Sequence, residues 1–162
     1  MFFSCNSNKL PLKVVDSLDV NKYAGKWYEI ARLPNSFEKG LECVTANYTL
    51  LEDGKIEVLN QGHSIADHSK IETAKGKAHI PNQNEPSKLK VTFFWPFYGN
   101  YWVIELDKNY QYALVGEPAR KYLWILSRTP ELDESSYNLL INIAKEQGFA
   151  TEKLIKVNQD CQ

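Results

Sequence analysis

The stretch YAGKWYEIARLP, residues 23–34, has the alternating pattern of a β-strand and places a tryptophan two residues after a glycine. Because neighbouring residues of a strand face opposite sides, it forms two sets: Trp27, Glu29 and Ala31 on one side, and Tyr28, Ile30 and Arg32 on the other. A strand alone does not require a side chain as large as Trp27. We therefore expect another part of the chain to pack on this indole.

The composition is that of a globular protein with an excess of aromatic residues. The chain has 162 residues, a net charge of −1 and 12% Phe, Trp and Tyr. A chain of this length typically forms one domain that buries about 70% of the surface of its unfolded form. Without a concentrated block of Lys and Arg, nucleic acid and anionic membrane surfaces are disfavoured as partners. Every apolar run is much shorter than the roughly 20 residues of a bilayer-spanning helix.

Short alternating segments recur along the chain at a spacing of about ten residues, which predicts an antiparallel barrel or sandwich. One segment is different, because residues 133–149 have helical periodicity, with Asp133 as the cap and Gly148 at the C-terminal end. A short last strand is expected at 153–157. The eight strands that precede the helix are predicted at 26–33, 43–51, 55–63, 70–80, 88–95, 100–107, 110–116 and 121–128.

One face of these strands is apolar and mixes small with large side chains. An eight-stranded barrel is just wide enough to fill its own interior or to hold one small ligand. The mixture favours a lined pocket over a solid core. The small members are Ala46, Gly76, Ala78 and Ala113, and the large ones are Tyr48, Phe93 and Trp124.

Three motifs make the chain resemble the lipocalin family: Gly25-Lys26-Trp27 on the first strand, the turn from Asp107 to Tyr110, and Arg128 after the eighth strand. The similarity covers most of the chain and is nearest to the bacterial outer-membrane lipocalins and apolipoprotein D. It implies an all-β fold, an eight-stranded antiparallel up-and-down barrel with one C-terminal α-helix packed outside and a short final strand. Residues 17–162 are expected to form this domain, and residues 1–16 a leader or membrane tether.

The resemblance also implies structural roles for particular residues. In lipocalins the tryptophan closes one end of the barrel and the arginine lies across its indole, so Gly25, Trp27 and Arg128 are expected to be structural rather than ligand-binding. The family further implies a disulfide between Cys43 and Cys161, which would require an oxidising compartment. We expect a monomer or a weak dimer.

The third cysteine lies close to the N-terminus. Ser4 directly precedes Cys5, which partly resembles the end of a bacterial lipoprotein signal whose cleavage leaves an acylated cysteine. Lipidation of Cys5 would anchor the protein to the periplasmic side of the bacterial outer membrane. The alternative is an incidental thiol in a disordered tail, on a protein that is otherwise secreted.

The family resemblance implies that the interior holds a long-chain fatty acid, a lysophospholipid or a similar hydrophobic ligand. Asn60 and Glu105 are placed inside by strand parity, where a polar group needs a partner. Phe37 is expected to belong to an entrance lid, and residues 95–102 to form an exposed hairpin. The apolar residues expected to contact the ligand are Ala46, Tyr48, Ile56, Val58, Ala78, Val91, Phe93, Tyr101, Val103, Tyr122 and Trp124.

Two other functions stay open. A filled barrel would serve as an interaction module without a ligand, and a lipocalin-type isomerase would need a free cysteine on an early strand, where Cys43 is expected to be paired. Asp67, His68 and Ser69 are neighbours in a loop and point apart, unlike a catalytic triad. The histidines and cysteines lack the spacing of a metal site. We therefore expect no enzymatic activity, no cofactor and no metal.

Overall fold

The structure is a computed structural model that describes residues 10–94 and 96–161. Two α-helices, nine strands and one 3-10 helix lie in this part of the chain. In chain order they are α1 (Val20–Tyr23), β1 (Gly25–Arg32), β2 (Leu41–Leu50), β3 (Ile56–Ser64), β4 (Ile71–His79), β5 (Lys88–Phe94), β6 (Phe97–Leu106), β7 (Tyr112–Gly116), β8 (Leu123–Ser127), α2 (Glu134–Glu146), the 3-10 helix (Thr151–Lys153) and β9 (Ile155–Lys156).

The strands form one antiparallel sheet that closes into a barrel. Strands β2 to β8 pair in sequence order, β8 pairs with β1, and β1 pairs in turn with β2 and with β9. This confirms the predicted fold, an eight-stranded up-and-down barrel with one outer helix and a short final strand. Each predicted strand overlaps an observed one, whereas α1 and the 3-10 helix were not predicted.

Two apolar clusters stabilise the barrel. The inner apolar cluster lies within the barrel and includes the fully buried Trp27. The outer apolar cluster lies between the barrel wall and α2, whose Leu140 and Ala144 are fully buried. Helix α2 begins as predicted, because the Asp133 carboxylate accepts a hydrogen bond from the Ser136 backbone N–H at 2.9 Å.

Two β-bulges change which side chains face the interior. In β1 the register shifts between Glu29 and Ala31, so Ala31 joins the outer cluster and Arg32 turns inward, the reverse of what parity predicted. In β6 the register shifts between Val103 and Glu105. Glu105 then lies opposite Leu114, a member of the outer cluster, so the expectation that it faces the interior was wrong.

Arg128 closes one end of the barrel by packing on Trp27, as predicted. Its guanidinium carbon lies 3.8 Å from the centre of the Trp27 ring. The same group donates hydrogen bonds to the carbonyls of Tyr110, Lys26 and Lys22 at 3.1, 2.9 and 2.7 Å. One side chain thus joins β1, the β6–β7 turn and α1 at the closed end.

Gly25 permits this packing. Its φ of +95° lies in the left-handed region that favours glycine. A Cβ on Gly25 would also lie 3.4 Å from Nη1 of Arg128. A larger residue would therefore be strained at this position and crowd the Arg128 guanidinium.

We predict that Arg128→Lys destabilises the protein by about 2 kcal/mol or more, because an ammonium replaces neither the stacking nor the set of donors that a guanidinium provides. Urea unfolding followed by tryptophan fluorescence measures the change. The control is Lys75→Arg on the exposed part of β4, which should leave the unfolding free energy unchanged. Equal stability of the two variants would contradict this role of Arg128.

Residues 157–159, which we call the seam-filling segment, lie between β1 and β2 where these two strands do not pair with each other. These strands pair only over Gly25–Tyr28 of β1. Further along, the Val157 N–H donates to the Ile30 carbonyl at 2.9 Å and the Cys43 N–H donates to the Asn158 carbonyl at 2.8 Å. Residues 157–158 thereby supply hydrogen bonds to both strands where the strands separate.

Two further contacts hold this segment in place. The side-chain amide of Gln159 donates to the Glu29 carbonyl at 2.7 Å and to the Val44 carbonyl at 2.9 Å. The predicted disulfide between Cys43 and Cys161 is present, with a Cα–Cα distance of 6.2 Å and a separation of 118 residues. The disulfide therefore ties the seam-filling segment to β2.

Removal of the disulfide by Cys161→Ala is predicted to lower the unfolding free energy by about 2–5 kcal/mol, because the unfolded chain regains the entropy of a long loop. Urea unfolding under non-reducing conditions measures this loss. Cys5→Ala is the matched control, and it should leave the unfolding curve in place. A wild-type curve that does not move on addition of dithiothreitol would contradict the prediction.

Residues that precede the predicted boundary at residue 17 also contact the barrel. Leu12 is buried in the outer cluster. The Val15 N–H donates to the Val103 carbonyl at 3.0 Å, and the Val15 carbonyl accepts a hydrogen bond from the Ser87 hydroxyl. Residues 12–15 therefore pack on the barrel, whereas Cys5 lies outside the described residues. In the part of the chain that the structure describes, no helix has the length and apolarity needed to cross a membrane.

Candidate functional site: the barrel interior

The interior of the barrel is the candidate site, because its side chains are buried at one end and exposed at the other. Trp27 at the closed end is fully buried, whereas Phe93, whose ring packs over Gly76, is 36% exposed. Ala74 lies opposite Asn60 on the inner side of the wall and is exposed. The barrel therefore opens at the end where residues 33–40, the first loop, join β1 to β2.

Most of the residues predicted to line a ligand lie in the inner apolar cluster. Phe93 packs over Gly76, as described, and Tyr122 stacks on Trp124. Asn60 faces inward between Ala46 and Ala74. Glu105 alone of the predicted set lies on the outer side. Those within or packed against the inner cluster are Ala46, Tyr48, Ile56, Val58, Ala78, Val91, Tyr101, Val103 and Trp124.

Three tyrosine hydroxyls meet near the closed end, and we call them the hydroxyl triad. The Tyr101 hydroxyl lies 2.6 Å from the Tyr23 hydroxyl and 2.8 Å from the Tyr48 hydroxyl. Burial raises the pKa of each of these phenols. All three hydroxyls therefore keep their protons at neutral pH, and they place polar atoms in an otherwise apolar floor.

A buried charged network lies nearer the open end. Nη1 of Arg32 donates to the Glu29 carboxylate at 3.0 Å, and Nη2 donates to the carbonyls of Glu38 and Leu41 at 2.9 and 3.1 Å. Glu29 and Arg32 are 4% and 5% exposed. Because burial and the nearby charge of Glu38 disfavour its ionised form, the pKa of Glu29 is raised, although Arg32 opposes the shift.

Glu38 fastens the first loop to the barrel wall. Its carboxylate accepts a hydrogen bond from the Trp124 indole N–H at 3.0 Å and one from the Asn35 side-chain amide at 2.6 Å. The Glu38 backbone N–H donates to the Asn35 side-chain carbonyl at 2.8 Å. The loop is therefore held in a defined conformation above the interior.

Aromatic rings surround the open end below this loop. Phe37 lies 5.6 Å from Tyr122 and 6.3 Å from Trp124, measured between ring centres. Tyr122 and Trp124 stack at 5.9 Å. Phe37 is 57% exposed, so it lies at the boundary between the interior and solvent, the position expected of a lid residue.

Sequence reasoning missed four polar residues of the interior. Glu29 lies on the same side of β1 as Trp27, so the alternation of side chains could have placed it in the interior. Arg32 was assigned to the wrong side because of the bulge. Glu38 is in a loop, where no periodicity applies, and Tyr23 lies in α1, which was not predicted.

Asn60 is the remaining polar residue on the inner wall. Its side chain makes no hydrogen bond to the residues that the structure describes. A half-buried carboxamide without a protein partner is available to a ligand or to water.

A groove of about 560 Å³ lies beside the open end. It is separate from the inner cluster and lies between the first loop, the β3–β4 loop and β9. Its lining residues are Arg32, Pro34, Asn35, Ser36, Lys39, Gly40, Ile65 and Ile155.

The β5–β6 hairpin presents aromatic side chains to solvent, as the sequence predicted. Phe94 and Phe97 are 81% and 77% exposed, and Tyr98 is half-exposed. Trp95 lies outside the described residues. This hairpin is at the same end of the barrel as the first loop.

The residues Asp67, His68 and Ser69 do not form a catalytic relay. The Ser69 hydroxyl donates to the Asp67 carboxylate at 2.7 Å. Nε2 of His68 lies instead 3.0 Å from the Glu42 carboxylate. The serine and the histidine therefore have separate partners.

A closed antiparallel barrel, an arginine stacked on the tryptophan at its base and an apolar interior open at the rim define a lipocalin-type calyx. Residues 18–159 match the family described as the lipocalin-like domain. This chain belongs to the lipocalin family.

Relatives of the chain include bacterial and animal proteins. It is 48% identical to the outer membrane lipoprotein Blc of Vibrio cholerae, over 91% of this chain and 86% of the relative. Identity to the protein of the same name from Escherichia coli K12 is 44%, over 96% and 89% of the two chains. Identity to mouse apolipoprotein D is 38%, over 90% and 79%.

Solved structures share the fold. Insecticyanin from the tobacco hornworm Manduca sexta superposes with a TM-score of 0.74 at 25% identity, covering 94% of this chain and 88% of that one. The cockroach allergen Per a 4 superposes with a TM-score of 0.70 at 24% identity, covering 90% and 91%.

We predict that Glu29→Gln removes a pH dependence of stability. Because folding raises the pKa of Glu29 above its ordinary value of 4.5, the folded state binds the extra proton. The associated stability is present below the unfolded pKa and is lost as pH rises through the folded pKa. The wild-type unfolding free energy should therefore fall over this range, and that of Glu29→Gln should fall less.

Urea unfolding at a series of pH values measures both profiles. Glu146→Gln, at an exposed position of α2, is the control and should keep the wild-type profile. Parallel profiles for Glu29→Gln and the wild type would contradict the prediction.

Proposed function

We propose that this protein binds the hydrocarbon chain of a long-chain fatty acid, a lysophospholipid or a similar amphiphile in the barrel interior. One observation carries the proposal: the inner wall is apolar and passes from complete burial at Trp27 to exposure at Ala74. Such a gradient is expected of a barrel that is closed at one end and open at the other. The protein would carry or store the lipid near a membrane.

The transfer free energy of a hydrocarbon chain is sufficient for such binding. Burial of about 14 methylene groups at roughly 0.8 kcal/mol each contributes about 11 kcal/mol. Association costs on the order of 4 kcal/mol or more, which leaves about 7 kcal/mol at most and a dissociation constant of about 10 μM or weaker. No covalent chemistry is needed, so we propose a carrier without enzymatic activity.

The isomerase alternative has little support in the interior. It requires a free thiol on an early strand, and Cys43 of β2 is bonded to Cys161. The Glu29 and Glu38 carboxylates accept hydrogen bonds from Arg32, Trp124 and Asn35. The three tyrosine hydroxyls bond to one another, and this arrangement holds the wall together.

We also propose a location at the periplasmic side of the bacterial outer membrane. The relatives from Vibrio cholerae and Escherichia coli are named outer membrane lipoproteins. Acylation of Cys5 would provide the anchor, with the residues that follow Cys5 as the tether to the barrel. The intact mass of protein purified from a bacterial membrane fraction, compared with that of a Cys5→Ala variant, tests this anchor.

A second role, as an interaction module, is favoured by the exposed hairpin. Phe94 and Phe97 together place two phenyl rings in solvent, and exposed apolar patches often mark contact surfaces. In that role the barrel would be a scaffold, and no lipid would copurify with the protein.

A matched pair of variants on β4 tests the carrier function. Ala74 and Lys75 are adjacent and exposed, and they face the inner and outer sides of the wall. Ala74→Phe places a ring within the open end, so we predict that it weakens binding of hexadecanoic acid and of palmitoyl lysophosphatidylethanolamine at least tenfold. Lys75→Phe adds the same ring outside and should leave binding within about twofold.

Quenching of tryptophan fluorescence and isothermal titration calorimetry give the dissociation constants, and circular dichroism confirms that both variants are folded. Native mass spectrometry of the purified wild type identifies any lipid that copurifies. If neither lipid binds the wild-type protein, or if both variants weaken binding equally, the interior is not the binding site.

A further inference from the structure

We propose that the hydroxyl triad at the floor of the barrel is a second polar subsite, which accepts an oxygen atom at the far end of the ligand's hydrocarbon chain. This rests on the proposed function, because it requires that a chain enters the barrel from the open end. The ligand class is an amphiphile with an oxygenated tail, such as an ω-hydroxy or ω-oxo acyl chain.

The proposal rests on the number of hydrogen bonds that the three hydroxyls make. Three phenol hydroxyls supply three protons, and the triad contains only two hydrogen bonds, one between Tyr101 and Tyr23 and one between Tyr101 and Tyr48. No other group among the described residues bonds these hydroxyls. Whichever way the two bonds point, one O–H proton has no acceptor in the described protein. A buried donor of this kind normally has a partner.

The position of the triad makes a ligand atom a suitable partner. Tyr23 and Tyr48 are 3% and 8% exposed and belong to the inner apolar cluster, and the half-buried Tyr101 packs against it. Tyr23 rests on Trp27 with ring centres 5.1 Å apart. The hydroxyls therefore lie beside Trp27 at the closed end of the barrel, where the end of an inserted hydrocarbon chain would arrive.

The apolar side chains around the triad determine which ligand atoms can bind beside it. The interior neighbours of Tyr48 include Val58 on β3, and Tyr101 lies opposite Leu89 on β5. Such a wall accepts methylene groups. A single oxygen on the tail would thus find one donor, which is the arrangement that makes hydrogen-bond recognition selective.

Polar groups lie at both levels of the interior. The network of Glu29, Arg32 and Glu38 is nearer the open end, where a head group would remain. The triad lies at the floor. Two polar groups at different depths of the interior match a ligand with polar atoms at both ends of its chain.

The test compares unsubstituted fatty acids with ω-hydroxy acids of the same length, from dodecanoic to octadecanoic acid. Without a partner, a hydroxyl at the chain end should weaken binding about tenfold or more. In the wild type we expect the ω-hydroxy acid of the best-fitting length to bind within about threefold of its parent acid.

The triple variant Tyr23→Phe/Tyr48→Phe/Tyr101→Phe removes every O–H donor of the triad and keeps its three rings. We expect the ratio of the two dissociation constants, ω-hydroxy acid over parent acid, to rise about tenfold in this variant. Tyr28→Phe, on the outer side of β1, is the control and should keep the wild-type ratio. If the triple variant does not fold, the wild type alone decides, because without the subsite the ω-hydroxy acid of every length should carry the tenfold penalty.

The outcomes separate the two proposals. Binding of parent acids with the same tenfold penalty for ω-hydroxy acids in the wild type and in the triple variant overturns the subsite and leaves the carrier function standing. That result would mean that water satisfies the triad. Failure of every acid to bind the wild type overturns both proposals.

Discussion

The packing of one guanidinium on one indole is the contact on which the rest of the barrel depends. Arg128 covers Trp27 and bonds to carbonyls from three separate segments, so the base is closed by a single side chain that the last barrel strand delivers to the first. Because the base is sealed in this way, water is excluded at the closed end and reaches the apolar side chains above it only from the open end. The asymmetry between a sealed base and an exposed rim follows directly.

The alternation of side chains along the strands predicted most of the fold, because a period of two is visible in any run of five or more residues. The same rule failed at two places. A bulge adds one residue to a strand without altering its composition, so every side chain beyond it changes sides. Arg32 therefore entered the interior and Glu105 left it.

The polar content of the interior was predictable only in part. Tyr48 and Asn60 lie on regular segments and were found from parity, and Tyr101 was found from the family resemblance. Glu38 instead reaches the interior from a loop whose path depends on its bonds to Asn35 and Trp124. Contacts of that kind join residues far apart in sequence and leave no local pattern. The apolar wall could be read from the sequence, but the charged network that borders it could not.

The seam-filling role of residues 157–159 has a consequence for biosynthesis. A polypeptide is made from its N-terminus, yet β1 and β2 obtain part of their backbone pairing from residues 157–159, which are made long after both strands. The closed state therefore cannot form until this segment has left the ribosomal exit tunnel. Barrel closure and the bonding of Cys43 to Cys161 must both follow the synthesis of residues 157–161.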